Sequence, residues 1–285
     1  METYNDIYLK TRKKLKAAGI DSPEFEAKFI VASSAGRTRE DMLAMSKVYA
    51  TDNTIRQKIE EFTERRLAGE PLAYVLGEWE FYGVTLAVNE NVLIPRSDTE
   101  VLAKAVINIL SRKMWQTRLL DLCCGSGAIG LAVSSNVPST RVVMVDVSED
   151  ALAVCRTNML SNNLSKKITA IEADALKSPP SLLGEFDVIA CNPPYIPSED
   201  IKSLDKSVKD YEPVLALDGG EDGLKYFRSV CEKWLHLLKP GGHLAFECGI
   251  DQAGDVQQIM RTGGLKDIRV YKDTLGIERV ITAMV

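Results

Sequence analysis

Histidine is scarce in this chain: among 285 residues there are only His236 and His243. The six cysteines, Cys123, Cys124, Cys155, Cys191, Cys231 and Cys248, include no C-x-x-C pair. That spacing leaves no ligand set for structural or catalytic zinc, so no metal is expected. The thiols read instead as small buried apolar side chains in a reducing cytosol. An excess of positive charge is also missing. The net charge is −5. Residues 1–70 carry 13 basic against 12 acidic side chains, leaving 22 against 28 for the remainder. A phosphate backbone is bound mostly through cations, so no direct nucleic-acid partner is expected. There is no run of about 18 uncharged apolar residues, so no membrane span is expected. The stretch from Met1 to Lys16 is polar and lacks the apolar segment of a secretion signal. The chain is therefore read as cytoplasmic, and a monomer is expected. It contains no internal repeat and no low-complexity tract.

What is present is ordinary globular composition, 45% hydrophobic and 26% charged, enough for a core without disulfides. Residues 1–71 read as a helical bundle with no titratable cluster, placed here as a substrate-recognition unit. Ser22-Pro23 opens one helix, with Phe25, Phe29 and Ala32 at helical spacing and Gly36 at its end. Thr38-Arg39-Glu40-Asp41 opens a second. Ile55, Ile59 and Phe62 mark a third, which stops at Gly69 before Pro71. Residues 72–96 change character: Trp79–Val84 and Leu86–Val88 suggest a β-hairpin linker. Ser97-Asp98-Thr99-Glu100 then has the form of a capping box ahead of Val101, Leu102, Ala105 and Ile109. Residues 97–285 read as the catalytic domain. Strands are expected at 117–122, 141–146, 168–172, 186–191, 243–248, 267–272 and 278–284, and helices at 128–135, 149–162, 221–238 and 251–262. This alternation implies an α/β fold, a seven-stranded, mostly parallel sheet with helices on both faces.

The first of those strands runs into Asp121-Leu122-Cys123-Cys124-Gly125-Ser126-Gly127. Gly125 and Gly127 let the backbone approach a ligand at the strand's carboxyl end. By itself such a loop suits a dinucleotide, S-adenosylmethionine, or no ligand at all. Two further acids narrow the choice. Asp146 ends the second strand, where a carboxylate can accept from ribose hydroxyls, and Asp174 follows the third. Acids at three successive strand ends resemble the Rossmann-like class I methyltransferases. In that family a glycine is usual where this chain has Cys123, so either the position needs no positive φ or Cys tolerates one.

The fourth strand ends in Asn192-Pro193-Pro194-Tyr195. Two prolines must stop the strand and stiffen the backbone there. An amide nitrogen is a poor nucleophile because its lone pair is delocalised into the carbonyl. Two acceptors, the Asn192 side-chain oxygen and the Pro193 carbonyl, can each take one N–H of a primary amide and turn the lone pair towards a methyl donor. Tyr195 can stack on the planar group. The bland reading of the same four residues is a turn with an Asn cap.

With Leu93-Ile94-Pro95-Arg96-Ser97-Asp98-Thr99-Glu100, with Tyr211-Glu212-Pro213, with Leu217-Asp218-Gly219-Gly220-Glu221-Asp222-Gly223-Leu224, and with Asp273…Gly276-Ile277-Glu278-Arg279, the whole chain resembles the PrmC/HemK release factor glutamine methyltransferases. Ser97 stands where that family usually has Pro. The resemblance implies methyl transfer from S-adenosylmethionine, leaving S-adenosylhomocysteine, to the side-chain amide nitrogen (N5) of the glutamine in the Gly-Gly-Gln loop of peptide-chain release factors. It implies cofactor contacts from Asp121, Cys123, Cys124, Gly125, Ser126, Gly127, Asp146, Asp174 and Asn192. It implies catalysis and substrate binding by Asn192, Pro193, Pro194 and Tyr195. Two alternatives stand beside it: an adenine or cytosine amino-methyltransferase, since an exocyclic base nitrogen is also planar, and a non-catalytic cofactor-binding adaptor.

Overall fold

A computed structural model describes residues 2–285. The chain forms two compact units: the chain up to Glu78 together with Lys206–Tyr211, and Trp79–Asp205 together with Glu212–Val285.

The first unit is helical. Helix α1, Tyr4–Ala17, starts with a capping box in which Thr3 and Asp6 bond reciprocally. Its buried stripe is only Tyr4, Thr11 and Leu15, too sparse for apolar spacing to announce it. Helix α2, Pro23–Ser34, has Pro23 in its first turn, but Ser22 makes no side-chain cap bond. Its buried residues include Ala32, as expected, but the core face is otherwise Ala27, Ile30, Val31 and Ser34, rotated from the expected stripe; Phe25 is 41% exposed. The Phe25 and Phe29 rings instead lie under the Arg39 guanidinium, 5.5 and 5.3 Å from its central carbon. Short α3, Met42–Met45, follows the Thr38–Asp41 capping box and a 3₁₀ turn. Helix α4, Asn53–Leu67, buries Ile59 and Phe62. Residues 72–76, expected in the hairpin, form helix α5, Leu72–Leu76, closed by left-handed Gly77. Helix α9, Lys206–Lys209, completes the unit.

The hairpin itself is shorter than expected: β1 is Glu78–Phe81 and β2 Val84–Ala87. Tyr82 and Gly83 both have positive φ, 47° and 75°, as a two-residue turn matching strand twist requires. The Tyr82 N–H donates to the Glu100 carboxylate at 3.0 Å. This corrects the expected capping box: Glu100 reaches the turn, and helix α6, Thr99–Leu110, begins after Asp98 with no side-chain cap.

In the second unit, β3 (Thr117–Leu122), β4 (Thr140–Asp146), β5 (Ile168–Glu172), β6 (Phe186–Cys191), β7 (Leu238–Glu247), β8 (Lys266–Lys272) and β9 (Glu278–Met284) make one sheet of order β5-β4-β3-β6-β7-β9-β8. The first five strands in that order are parallel, and β9 runs antiparallel to both β7 and β8. Helices α7 (Ala128–Asn136), α8 (Glu149–Ser161), α10 (Lys225–Lys233) and α11 (Ala253–Thr262) cross between strands. The helix expected at 221–238 is shorter because Gly223, at φ 73°, lies in a turn whose Leu224 N–H is capped by Asp222. Every residue of β6 is buried, as in a strand covered on both faces. Chain order reverses between β3 and β6, so their carboxyl ends flank a crevice. Among the described residues, no helix is long and apolar enough to cross a membrane.

Candidate active site

Strand register assembles the site. Leu122 pairs with Val145 and with Cys191, so the next residue, Cys123, emerges between Asp146 and Asn192. The crevice there is a cavity of about 960 Å³, counting space open to solvent. Of the residues expected at a site, Cys123, Cys124, Gly125, Ser126, Asp146, Asp174, Asn192 and Pro194 line it. Asp121, Gly127, Pro193 and Tyr195 are not in its wall.

The loop after β3 is shaped by its own backbone. Cys123 has φ 60°, Gly125 52° and Gly127 83°, so Cys123 does tolerate the left-handed conformation. A Cβ on Gly125, which lines the cavity, would meet no atom within 4 Å. A Cβ on Gly127 would come within 3.0 Å of both Cys155 and Met144. Gly130 serves the close approach of α7 to the sheet, for a Cβ there would lie 2.5 Å from Met144. Asp121 is fully buried behind the loop and accepts the Gly130 N–H at 2.8 Å. Burial pushes its pKa up to about 7, with the Asp146 charge adding to the effect and the Gly130 bond opposing it. Asp146 accepts from Gly125 N–H at 2.8 Å and Ser148 N–H at 3.0 Å; burial raises its pKa against those two bonds. Asp174 accepts from the Leu176 N–H and sits 3.5 Å from Lys177. Asn158, which the sequence does not single out, donates to the carbonyls of Ser126 and Ala87 and ties the loop to the hairpin.

The Asn192–Tyr195 turn is clamped from the other side. Ile196 and Gly219 exchange backbone bonds with their neighbours across the two segments, Ile196 N–H to Leu217 and Gly219 N–H to Ile196. A Cβ on Gly219 would stand 2.8 Å from the Tyr195 backbone, and one on Gly223 2.4 Å from its carbonyl. The glycine-rich stretch 217–224 therefore wraps Tyr195. Gln252 donates to the Tyr195 carbonyl at 2.9 Å. Burial, and then the Glu247 charge, raise the tyrosine's pKa from its ordinary value.

Beneath Asn192 lies a polar group that motif reading misses. Asn192 Nδ2 donates to the Thr99 hydroxyl at 3.3 Å. Thr99 and Glu247 are buried, and Glu247 Oε2 has no partner. Burial pushes Glu247 up to about 7, with Thr99, Arg279 and Asn192 opposing. Arg279 bridges Asp98 at 3.3 Å and Asp273 at 3.2 Å. Asp273 in turn caps the β8–β9 turn through the N–H groups of Leu275 and Ile277. Glu212, also buried, accepts from Ile94 N–H and from Arg96. The scattered segments around 93–100, 212 and 273–279 thus converge on ionic contacts around one turn.

The chain is similar to known proteins. Residues 6–77 match the model of the PrmC N-terminal domain, and residues 97–210 that of the methyltransferase small domain. A release factor glutamine methyltransferase of Caulobacter vibrioides is 36% identical over 95% of this chain and 92% of its own length. One from Clostridium acetobutylicum is 32% identical over 98% and 97%. The hMettl16 catalytic domain, solved with an RNA hairpin, aligns over 79% of each chain with a TM-score of 0.57 at 14% identity. At that identity the likeness concerns the fold alone.

Proposed function

We infer the activity from kinship: the chain belongs to the release factor glutamine methyltransferase family, and we propose that it transfers a methyl group from S-adenosylmethionine to N5 of the glutamine in the release-factor Gly-Gly-Gln loop. The observation that carries this reading is that Asn192, Asp146 and the Gly125 backbone share one cavity wall in a chain related to such enzymes along 95% of its length.

The cavity fits the cofactor on its own terms. Open space at Gly125 admits a ligand against the backbone. Asp146 uses one lone pair on each oxygen for Gly125 and Ser148 and keeps others for ribose hydroxyls. The 123–127 loop would hold the methionine portion, and Asp174 the adenine edge. S-adenosylmethionine supplies an electrophilic methyl group on a sulfonium.

The chain's part is alignment. Asn192 Oδ1 and the Pro193 carbonyl each accept one N–H of the glutamine amide, which turns the nitrogen lone pair towards the donor. Such positioning is worth several kcal/mol, up to roughly 7–11 in the best-oriented cases. Pro194, in the cavity wall, flanks the planar group. The helices of the first unit hold the release factor.

Mass spectrometry of the Gly-Gly-Gln peptide, after incubating a release factor with enzyme and cofactor, tests the reading. Methylation of that glutamine is expected from the wild-type chain, and none from Asn192→Ala, with cofactor affinity retained. An unmodified glutamine under wild-type enzyme, or transfer to DNA or RNA instead, overturns it.

A further inference from the structure

Asn192 can present either its oxygen or its NH₂ to a substrate, and the two ends have opposite consequences. An oxygen accepts the N–H of a glutamine amide; an NH₂ repels it. A mechanism that depends on acceptance therefore needs something that decides the flip.

The decision falls to the groups around the side chain, Thr99 in the cavity wall and Glu247 at the neighbouring strand end. Cys191 pairs with Phe246 in parallel register, so Asn192 and Glu247 follow side by side at the ends of β6 and β7. Glu247 is 2% exposed and Thr99, at the start of α6, 4%. The Thr99 hydroxyl accepts from Asn192 Nδ2 at 3.3 Å. Burial raises the pKa of the Glu247 carboxyl, and its neighbours Thr99, Arg279 and Asn192 favour the ionised form. Glu247 Oε2 is buried without a partner, a spare acceptor beside a donor-bearing amide. In its ionised form, which prevails above about pH 7, the carboxylate only accepts. It makes the Nδ2 end of Asn192 the inward end.

We propose that Glu247, acting with Thr99, is a positioning residue that locks the Asn192 amide with Oδ1 towards the cavity. It touches neither substrate nor cofactor. This rests on the proposed reaction at Asn192 and adds to it the element that sets the polarity of the site.

Such a lock has a specific failure and a specific rescue. In Asn192→Asp two carboxylates face each other, and like charges at that range cannot both stay ionised comfortably. Above about pH 7, where Glu247 is ionised, the substituted side chain offers an acceptor to the cavity but is repelled from behind. Glu247→Gln removes the acceptor-only constraint and lets either amide flip. In the double variant Asn192→Asp/Glu247→Gln the charge has moved from one position to the other. The carboxamide introduced on β7 can then donate to one oxygen of the carboxylate introduced on β6 and leave the other oxygen facing the cavity.

The experiment measures single-turnover methylation of a release factor at saturating cofactor and at a pH above about 7, where the Glu247 carboxylate is ionised. Glu247→Gln should lose on the order of tenfold and Asn192→Asp on the order of a hundredfold, while the double variant should turn over at least about tenfold faster than Asn192→Asp. Losses that add in the double variant mean that Glu247 is merely structural, and overturn the inference. Wild-type enzyme in the same assay separates the two claims, since its failure strikes the reaction and not the positioning. Should circular dichroism show the double variant unfolded, Thr99→Val decides the matter. It removes the bridging hydroxyl at near-constant volume and should lower the rate about tenfold with cofactor affinity unchanged; an unchanged rate overturns the inference.

Discussion

Cys123 holds a left-handed backbone, φ 60°, that costs an L-residue roughly 1–2 kcal/mol. Glycine escapes that strain but adds entropy to the unfolded chain, and it gives up the contact of a half-buried thiol. Cys123→Gly should therefore stabilise by at most about 1 kcal/mol, raising Tm by roughly 2–4 °C. A lower Tm in thermal denaturation would show that thiol packing outweighs strain. Asp146 carries a different kind of cost. Asp146→Ala removes an acceptor from Gly125 and Ser148, and should weaken S-adenosylmethionine binding by more than about 1.5 kcal/mol, the scale of a hydrogen bond to a charged group. Unchanged affinity by calorimetry would take Asp146 out of the site. These two residues are readable from sequence because strand-end acids and a glycine-rich turn have a recognisable order. Glu247 is not. One acid closing an apolar strand looks like any loop acid, and its meaning comes from β6 and α6, which are distant in sequence. Asp121 is readable as a strand-end acid, yet its carboxylate turns back onto Gly130, a direction that spacing does not encode.

Elements with strong periodicity or hard punctuation are where sequence and structure agree most closely. β3, β5, β6 and β9 have apolar runs bounded by Pro, Gly or acid, and α7 and α8 follow small-residue turns. Disagreement collects where local signals compete. Residues 72–76 carry strand-like side chains but close a helical turn against left-handed Gly77. Ser97 and Glu100 spell a cap that the Tyr82 N–H pre-empts. β7 starts five residues before the expected boundary, at Leu238, because Leu238 pairs with Phe186 ahead of a register shift. The hairpin also redraws where a truncation belongs. Phe81, Val84 and Leu86 are buried, and Ala87 bonds to Asn158 of α8 through both its N–H and its carbonyl. Beginning the chain at Leu93 would strip that layer, whereas beginning it at Trp79 keeps it. A chain from Trp79 onward should still bind cofactor and methylate a short Gly-Gly-Gln peptide, but modify intact release factor poorly. Equal rates on the intact partner, measured by labelled methyl transfer, would show the first unit's helices to be dispensable.

At the scale of the whole molecule, the buried acids couple the site to stability. Asp121 and Glu247 each have a pKa pushed up to about 7, from 3.8 and 4.5, chiefly by burial. The folded chain therefore holds protons that the unfolded chain has already released between those values. Unfolding in that window releases protons, so stability falls as pH rises towards and through about 7, by up to about 1.4 kcal/mol per pH unit for each group. The opposite slope belongs to carboxylates held below their ordinary range. For Asp187, the Lys239 ammonium and the Arg118 N–H outweigh burial; for Asp273, the Ile277 N–H and Arg279 do the same. Their contribution is complete above about pH 4 and is lost as pH drops below it. The two slopes meet in mild acid, so the full chain without cofactor should melt at a higher temperature near pH 5.5 than near pH 8. Asp121→Asn keeps an acceptor for the Gly130 N–H and removes the ionisable group, so it should flatten the upper slope by one proton's worth. Glu247→Gln should do the same independently. Thermal denaturation between pH 5 and 8 reads both. A wild-type Tm that is level or rising across that range would mean that water reaches these carboxylates and that they are ionised in the folded state.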